Sequence, residues 1–533
     1  MKHAKFLLIS ILLVCGACAA QTVNSSTSSE PTLTIIHLND TYRVGDVEEG
    51  RRGGFGRVAT LVRGLLAEGR TVRITHGGDL LFPSLESQLW NGAQMVEALN
   101  FLNALAPVYF VPGNHEFDRR TPGAVINAVR DSDFKWLGDN LTLHTGDADV
   151  DSAIENTFIF SAGGRKFGIF SLTLLARDGG NDRAYAMVEG EYIDVAEQTI
   201  QELEGAGADI IFGITHLYLE DDVVLAGLKK RHPSFLFIVG GHDHEPEFEE
   251  GTIDTAAVMK GASNARTIWQ IDIEFDGDKP SITTHKIAID ESISVDAKYQ
   301  VIADKWRDRL LRIIPFLPSP VGVAALPLDG REVTIRSEES NWGNFIVDQM
   351  RGAFGEPAAD FAFINSGTLR IDDFVADDIT FEDIGRTFGF SSYLNHMTIN
   401  GGDFITLLEA GYRGEGGGKG YFPQISGFRV CVDKSRPDGQ RIVQLQVPDD
   451  KNWRSIDHHK DYQLVAPDFI LRGGDGYDFS KARNVSRPGS ELKYRVLDAI
   501  LVAQGKGEKI GKPVDPNNPR ISMLPGGEDR CFQ

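Results

Sequence analysis

The amino-acid sequence predicts a layered α/β protein of two domains, and three observations carry that reading. A chain of 533 residues exceeds what one compact core organises, so division into two domains is expected. With 41% hydrophobic and 24% charged residues, it has the balance of a soluble globular protein rather than a disordered, collagenous or many-spanning membrane one. From Thr32 to about Lys286, short apolar runs alternate with amphipathic stretches, the pattern of strands and helices stacked in layers.

The chain opens with MKHAKFLLISILLVCGACAA, residues 1–20. Lys2 and Lys5 precede an apolar run, Phe6 to Val14, that is too short to span a bilayer, and small residues follow it. This is an export signal, so a periplasmic or envelope location is expected. Ala17-Cys18-Ala19 suits ordinary cleavage, whereas Gly16-Ala17-Cys18 resembles a bacterial lipoprotein site in which Cys18 carries the lipid. Cys15 stands where such sites normally have an aliphatic residue, and both routes stay open. A lipid on Cys18 is the only membrane attachment expected. The Ser/Thr-rich residues 21–31 read as a flexible tether.

Lys and Arg total 54 against 76 Asp and Glu, a formal charge of -22 that becomes -24 once Lys2 and Lys5 leave with the signal. This excludes a protein that coats nucleic acid. It leaves room for a small anionic substrate drawn in by a metal cluster or a few arginines. Beyond the leader, Cys431 and Cys531 remain. They either form a disulfide or stay as one buried and one exposed thiol, and the sequence leaves both open.

The expected catalytic domain covers residues 32–290. Leu33–Ile36, Val72–Thr75, Val108–Val111, Phe167–Leu172, Ile210–Thr215 and Phe235–Val239 read as buried strands, with helical spacing in Val58-Leu61-Leu65 and Met95-Leu99-Leu102. Just beyond the strands stand Asp40 in HLND, Asp79 in GGD, Asn114 and His115 in GNHEFD, His216 in ITH, and His242 and His244 in GGHDH. Sites in open α/β sheets gather outside the carboxyl ends of strands, so these groups should converge. Two carboxylates, an Asn oxygen and three imidazoles suit a pair of Zn2+ or Mn2+ ions. The set is too rich in nitrogen for Ca2+ and too poor in thiols for a structural zinc site. A pair of cations about 3.5–4 Å apart needs a shared anionic ligand, a role assigned to Asp79 on its tight turn.

Val295, Tyr299, Ile302, Trp306, Leu310 and Ile313 recur at three- and four-residue spacing, a linker helix within residues 291–320 that Pro315, Pro318 and Pro320 end. The second domain is expected over residues 321–533.

In this order, Asp40, GGD, GNHEFD, His216 and GHDH resemble the calcineurin-like metallophosphoesterases. Within them they look like the bacterial periplasmic and animal surface 5'-nucleotidases, over nearly the whole mature chain. The resemblance implies an N-terminal four-layer αββα domain followed by a C-terminal α/β substrate-binding domain. It implies two divalent ions, Zn2+ or Mn2+ first, with Mg2+, Co2+ or Fe as the other options. Asp40, Asp79 and His244 would hold one; Asp79, Asn114, His216 and His242 would hold the other. His115 and Asp118 match the family's catalytic dyad. The family usually has His where this chain has Tyr42, which could ligate, leave a water in its place, or pack. His76 reads as a strand residue hydrogen-bonded internally.

Arg336-Ser337-Glu338-Glu339-Ser340-Asn341, Asn365-Ser366-Gly367-Thr368-Leu369-Arg370, Phe422-Pro423-Gln424-Ile425-Ser426-Gly427 and Gly473-Gly474-Asp475-Gly476-Tyr477 resemble, in order, the family's substrate-binding segments. By that resemblance Arg336, Asn365 and Arg370 contact phosphate and ribose, while Phe422 and Tyr477 sandwich the base. Guanidinium forks bind phosphate oxygens in pairs, and stacking on a base contributes about 1–3 kcal/mol. Ser366 and Thr368 replace two of the family's glycines and could shift nucleotide preference.

The implied activity is hydrolysis of nucleoside 5'-monophosphates. A 2',3'-cyclic-nucleotide phosphodiesterase (3'-nucleotidase) or a UDP-sugar hydrolase competes. A thiosulfonate ester hydrolase, or a nucleotide-binding surface protein that has lost one metal, is more distant. Groups split between two domains imply closure around the substrate. Monomer and dimer stay open.

Overall fold

Strands buried on both faces must be apolar throughout, and that requirement organises the first domain. The computed structural model describes residues 32–174, 183–414, 418–450, 452–524 and 531–532. The expected signal, tether and lipid site at Cys18 lie outside the described residues. Leu33–Leu38 pairs in parallel with Val72–His76, which continues through Val108–Phe110 and Lys135–Leu137 to Ile154–Glu155. On its other side the antiparallel hairpin Thr267–Asp276 and Lys279–Ala288 completes a seven-stranded sheet. A six-stranded sheet is built around parallel Arg165–Thr173, Ile210–His216 and Phe235–Gly240.

Strand alternation sorts the side chains into layers. Leu33 and Ile35 meet Phe167, Ile169, Phe212 and Val239 between the two sheets. Ile36 and Leu38 face the other way, onto helices Phe55–Ala67 and Ala93–Asn103. Phe170, Leu172 and Ile211 face helix Tyr192–Gly205 on the far side. The result is helix, sheet, sheet, helix.

The helix Ala297–Ile313 crosses from the first domain, with Tyr299 and Trp306 packed into that domain's outer core. The second domain holds two four-stranded sheets. One orders Leu394–Asn400, Asp461–Pro467, Phe361–Asn365 and Pro423–Ser426; the other contains Arg429–Asp433 and Ile521–Leu524. Cys431 and Cys531 form a disulfide that ties the tail to this second sheet. Among the described residues no helix is long and apolar enough to cross a membrane.

Buried polar contacts join the domains. Gln88 Nε2 donates to the Gly389 carbonyl at 2.8 Å, Arg386 pairs with Glu86 at 2.9 Å, and Asn264 Nδ2 donates to Asp372 at 3.0 Å.

Candidate metal and substrate site

The loops after three neighbouring strands of one sheet and one strand of the other are stitched together before any ion is considered. The Asp40 amide donates to the Gly78 carbonyl at 2.9 Å, and the His242 amide donates to Asp40 Oδ2 at 2.8 Å. The His115 amide donates to Asp79 Oδ1, also at 2.8 Å. Asp40, Asp79, His242 and His244 adopt φ of 51°, 58°, 82° and 65°, left-handed backbone that costs a non-glycine residue about 1–3 kcal/mol. Four such residues in one cluster mark a functional centre. Gly113 is required beside them, because a Cβ there would lie 2.3 Å from Asp79 Oδ1. Glu116 accepts from the amides of Asp79, Leu80, Leu81 and Gly113, which locks the Asp79 turn.

Two ligand groups result and share Asp79. Asp79, His216 and His242 offer donor atoms within 4.8 Å of one another, as do Asp40, Asp79 and His244. Asn114 Oδ1 lies 3.2 Å from His216 Nε2 and extends the first group. His216 Nδ1 donates to the Gly77 carbonyl at 2.6 Å, which leaves Nε2 for an ion. Burial alone would raise the Asp79 carboxyl, yet His216 and His115 hold it well below the usual carboxylate range. The donor set fits divalent ions that accept mixed oxygen and nitrogen ligands.

A cavity of about 660 Å³ opens from these groups to the second domain. Asp79, Asn114, His115, Asp118, His242, His244, Arg336, Asn365 and Arg370 line it; Asp40 and His216 lie buried behind. His115 Nδ1 stands 3.1 Å from both Asp118 oxygens, so Nε2 faces the cavity. Burial would lower His115, but Asp118 and Asp79 raise it above its ordinary value. Arg370 Nη2 approaches His115 Nε2 at 3.2 Å, while its Nε and Nη1 are buried without a hydrogen-bond acceptor. Arg336 Nε is orphaned in the same way. Orphaned guanidinium donors beside a cavity are the mark of an anion subsite. Asn365 donates to Asp475 Oδ2 at 2.7 Å.

The placement expected of Phe422 and Tyr477 is corrected here: neither lines the cavity. Phe422 is 2% exposed and packs edge-on against Tyr412, and Tyr477 is fully buried against Phe363 with its hydroxyl donating to the Tyr421 carbonyl. The apolar core of the second domain claims both rings. Among the aromatic rings lining the cavity, Phe390, Phe469 and Tyr218 are partly exposed and Tyr393 is exposed. His76 accepts from the Gly78 amide and contacts Thr41 Oγ1 at 2.8 Å; burial lowers its pKa to about 3, so it is neutral behind the ligands.

Two groups had no local signal in the sequence. Glu332, from the second domain, accepts from His244 Nδ1 at 2.8 Å, Ser263 Oγ at 2.7 Å and Arg336 Nη2 at 2.8 Å. Lys419 reaches Asp243, between the two histidines of GGHDH, at 2.7 Å.

Residues 33–246 match the model of the calcineurin-like phosphoesterase family, and residues 320–482 match that of the 5'-nucleotidase C-terminal domain. The chain is 23% identical to 5'-nucleotidase of Bos taurus over 518 residues, 88% of each protein. Its fold is shared with a 5'-nucleotidase precursor of Thermus thermophilus at a TM-score of 0.77, with 22% identity over 92% of this chain and 99% of that one. The sulfate thiohydrolase SoxB of the same species follows at 0.72, with 14% identity over 95% and 98%. With both family models matched in order along one chain, the protein belongs to the calcineurin-like metallophosphoesterases that carry a 5'-nucleotidase C-terminal domain.

Proposed function

We propose that the chain is an exported 5'-nucleotidase that hydrolyses nucleoside 5'-monophosphates to nucleoside and phosphate. The observation that carries this reading is the cavity between the domains: candidate metal-ligand groups and His115 line it together with Arg336 and Arg370, whose guanidinium groups include donors without an acceptor. Asp40, Asp79 and His244 would hold one divalent ion and Asp79, Asn114, His216 and His242 a second, and the pair would supply Lewis acidity and an acidified water.

The chain's own groups do the rest. Arg370 and Arg336 hold the phosphoryl oxygens, which satisfies the guanidinium atoms left without acceptors. Asn114 adds a polar contact at the metal end. His115, oriented by Asp118 and raised in pKa by it, donates a proton from Nε2 to the leaving oxygen once Arg370 has turned to the phosphoryl group. Asn365 turns toward the ribose. Phe390 and Phe469 take the base-facing role that Phe422 and Tyr477 do not occupy. Export rests on the leader, and a lipid at Cys18 or plain periplasmic release follows from how it is cut.

The test is the purified mature protein offered AMP, UDP-glucose, 2',3'-cAMP and p-nitrophenyl phosphate with defined metals. AMP should give the highest kcat/KM, chelation should abolish turnover, and Mn2+ or Zn2+ should restore it. Full turnover after chelation, or preference for 2',3'-cAMP or UDP-glucose over AMP, refutes the reading.

A further inference from the structure

Where the family has His, the Tyr42 hydroxyl stands among three candidate metal-ligand atoms. Its hydroxyl lies 2.8 Å from His244 Nε2, 3.2 Å from Asp40 Oδ1 and 3.3 Å from Asp79 Oδ2. His244 Nε2 is itself 3.3 Å from Asp40 Oδ1. Glu332 lies 2.8 Å from His244 Nδ1, so Nε2 is the ring nitrogen turned toward Tyr42. Two carboxylate oxygens and an imidazole nitrogen surround a hydroxyl that carries a single proton. Only one of the three contacts can be a hydrogen bond donated by Tyr42.

The spacing is that of a coordination shell. Donor atoms about 2.0–2.2 Å from a common ion stand roughly 2.8–3.6 Å from one another, and all four separations fall within that range. The ring is held for the purpose. Tyr42 is 5% exposed, its plane stacks at 29° on His244, and its amide donates to Asn264 Oδ1 at 3.2 Å. The Arg370 guanidinium covers the ring, 5.4 Å from its centroid.

We infer that Tyr42 is a fourth protein donor to the first metal ion, as a phenolate beside Asp40, Asp79 and His244, and that it suits this position to a hard cation such as ferric iron. The inference rests on the two-metal reading above. On binding, the Tyr42 O–H bond breaks, a metal–oxygen bond forms, and the proton passes to water. No group changes oxidation state.

The experiment uses the mature protein stripped with a chelator and then loaded with ferric ion alone or with Zn2+ alone. Ferric loading should produce a visible phenolate-to-iron charge-transfer band that Tyr42→Phe and Tyr42→His both lack. Zinc calorimetry should give two equivalents in the natural protein, with one of them at least about tenfold weaker in Tyr42→Phe, about 1.4 kcal/mol. Tyr42→His, which restores the family's usual donor, should recover that affinity without recovering the band. A natural protein that takes two zinc ions yet shows no ferric band, or a band that survives in Tyr42→Phe, overturns the assignment and spares the dinuclear reading. A natural protein that takes fewer than two zinc ions overturns the dinuclear reading itself, and the inference with it.

Discussion

Replacing Glu332 with glutamine removes one negative charge from the seam where the second domain meets the metal ligands. The carboxylate is 1% exposed and accepts from His244, Ser263 and Arg336 at 2.7–2.8 Å, with the Arg266 guanidinium 3.9 Å away. Glutamine keeps the shape but puts an amide N–H2 against at least one of these donors, and leaves two buried guanidinium groups short of a counter-charge. Removing the partner that orients a metal-ligating histidine costs about 10–100-fold in metal affinity, about 1.4–2.7 kcal/mol. Because the oxygen that faces His244 belongs to the other domain, this loss is also a loss of domain docking. Zinc calorimetry on Glu332→Gln should show one of two equivalents weakened by that factor, together with a lower melting temperature. Glu338→Gln, whose side chain is exposed six residues on, should match the natural protein in both. Unchanged affinity at both ions in Glu332→Gln would refute the claim that the second domain completes the first ion's site.

Two further outcomes follow from burial and charge. Phe469→Ala should raise KM for AMP by about 5- to 150-fold, the equivalent of 1–3 kcal/mol of base stacking, and leave p-nitrophenyl phosphate turnover intact; Phe422→Ala should instead lower stability by about 3–5 kcal/mol, and the reverse pattern in denaturant melts and steady-state kinetics would return Phe422 to the base site. Glu382 is buried, which alone would raise its pKa, but hydrogen bonds from Arg307 and the charge of Arg386 lower it from 4.5 to about 2. A depressed carboxyl stabilises the fold above its ordinary pKa, and that contribution is lost as pH falls from 4.5 toward 2. The melting temperature of the natural protein should therefore drop more steeply across that window than that of Glu382→Gln; parallel curves would remove this ion pair from the account of acid stability.

The sequence by itself determined the strands of the first domain and the candidate ligand residues beyond them. A strand buried on both faces is a near-continuous apolar run, as Phe235–Val239 is, and the candidate ligand His242 follows its carboxyl end within a few residues. Such signals are local, so they survive in one dimension. The helix over Ala297–Ile313 was legible for the same reason, since its apolar period is written within one element. Tertiary structure alone decided the rest. Glu332 and His244 are 88 residues apart, and Lys419 and Asp243 are 176 apart, and no residue type or spacing announces a pairing made only when domains dock. Phe422 and Tyr477 carry the same side chains whether they face a ligand or a core. Competition for apolar volume decides between the two, and every neighbour in the folded second domain takes part in it. Tyr42 is the sharpest case: its identity said only that a histidine was missing, while the position of one oxygen among three ligand atoms exists solely in the folded chain.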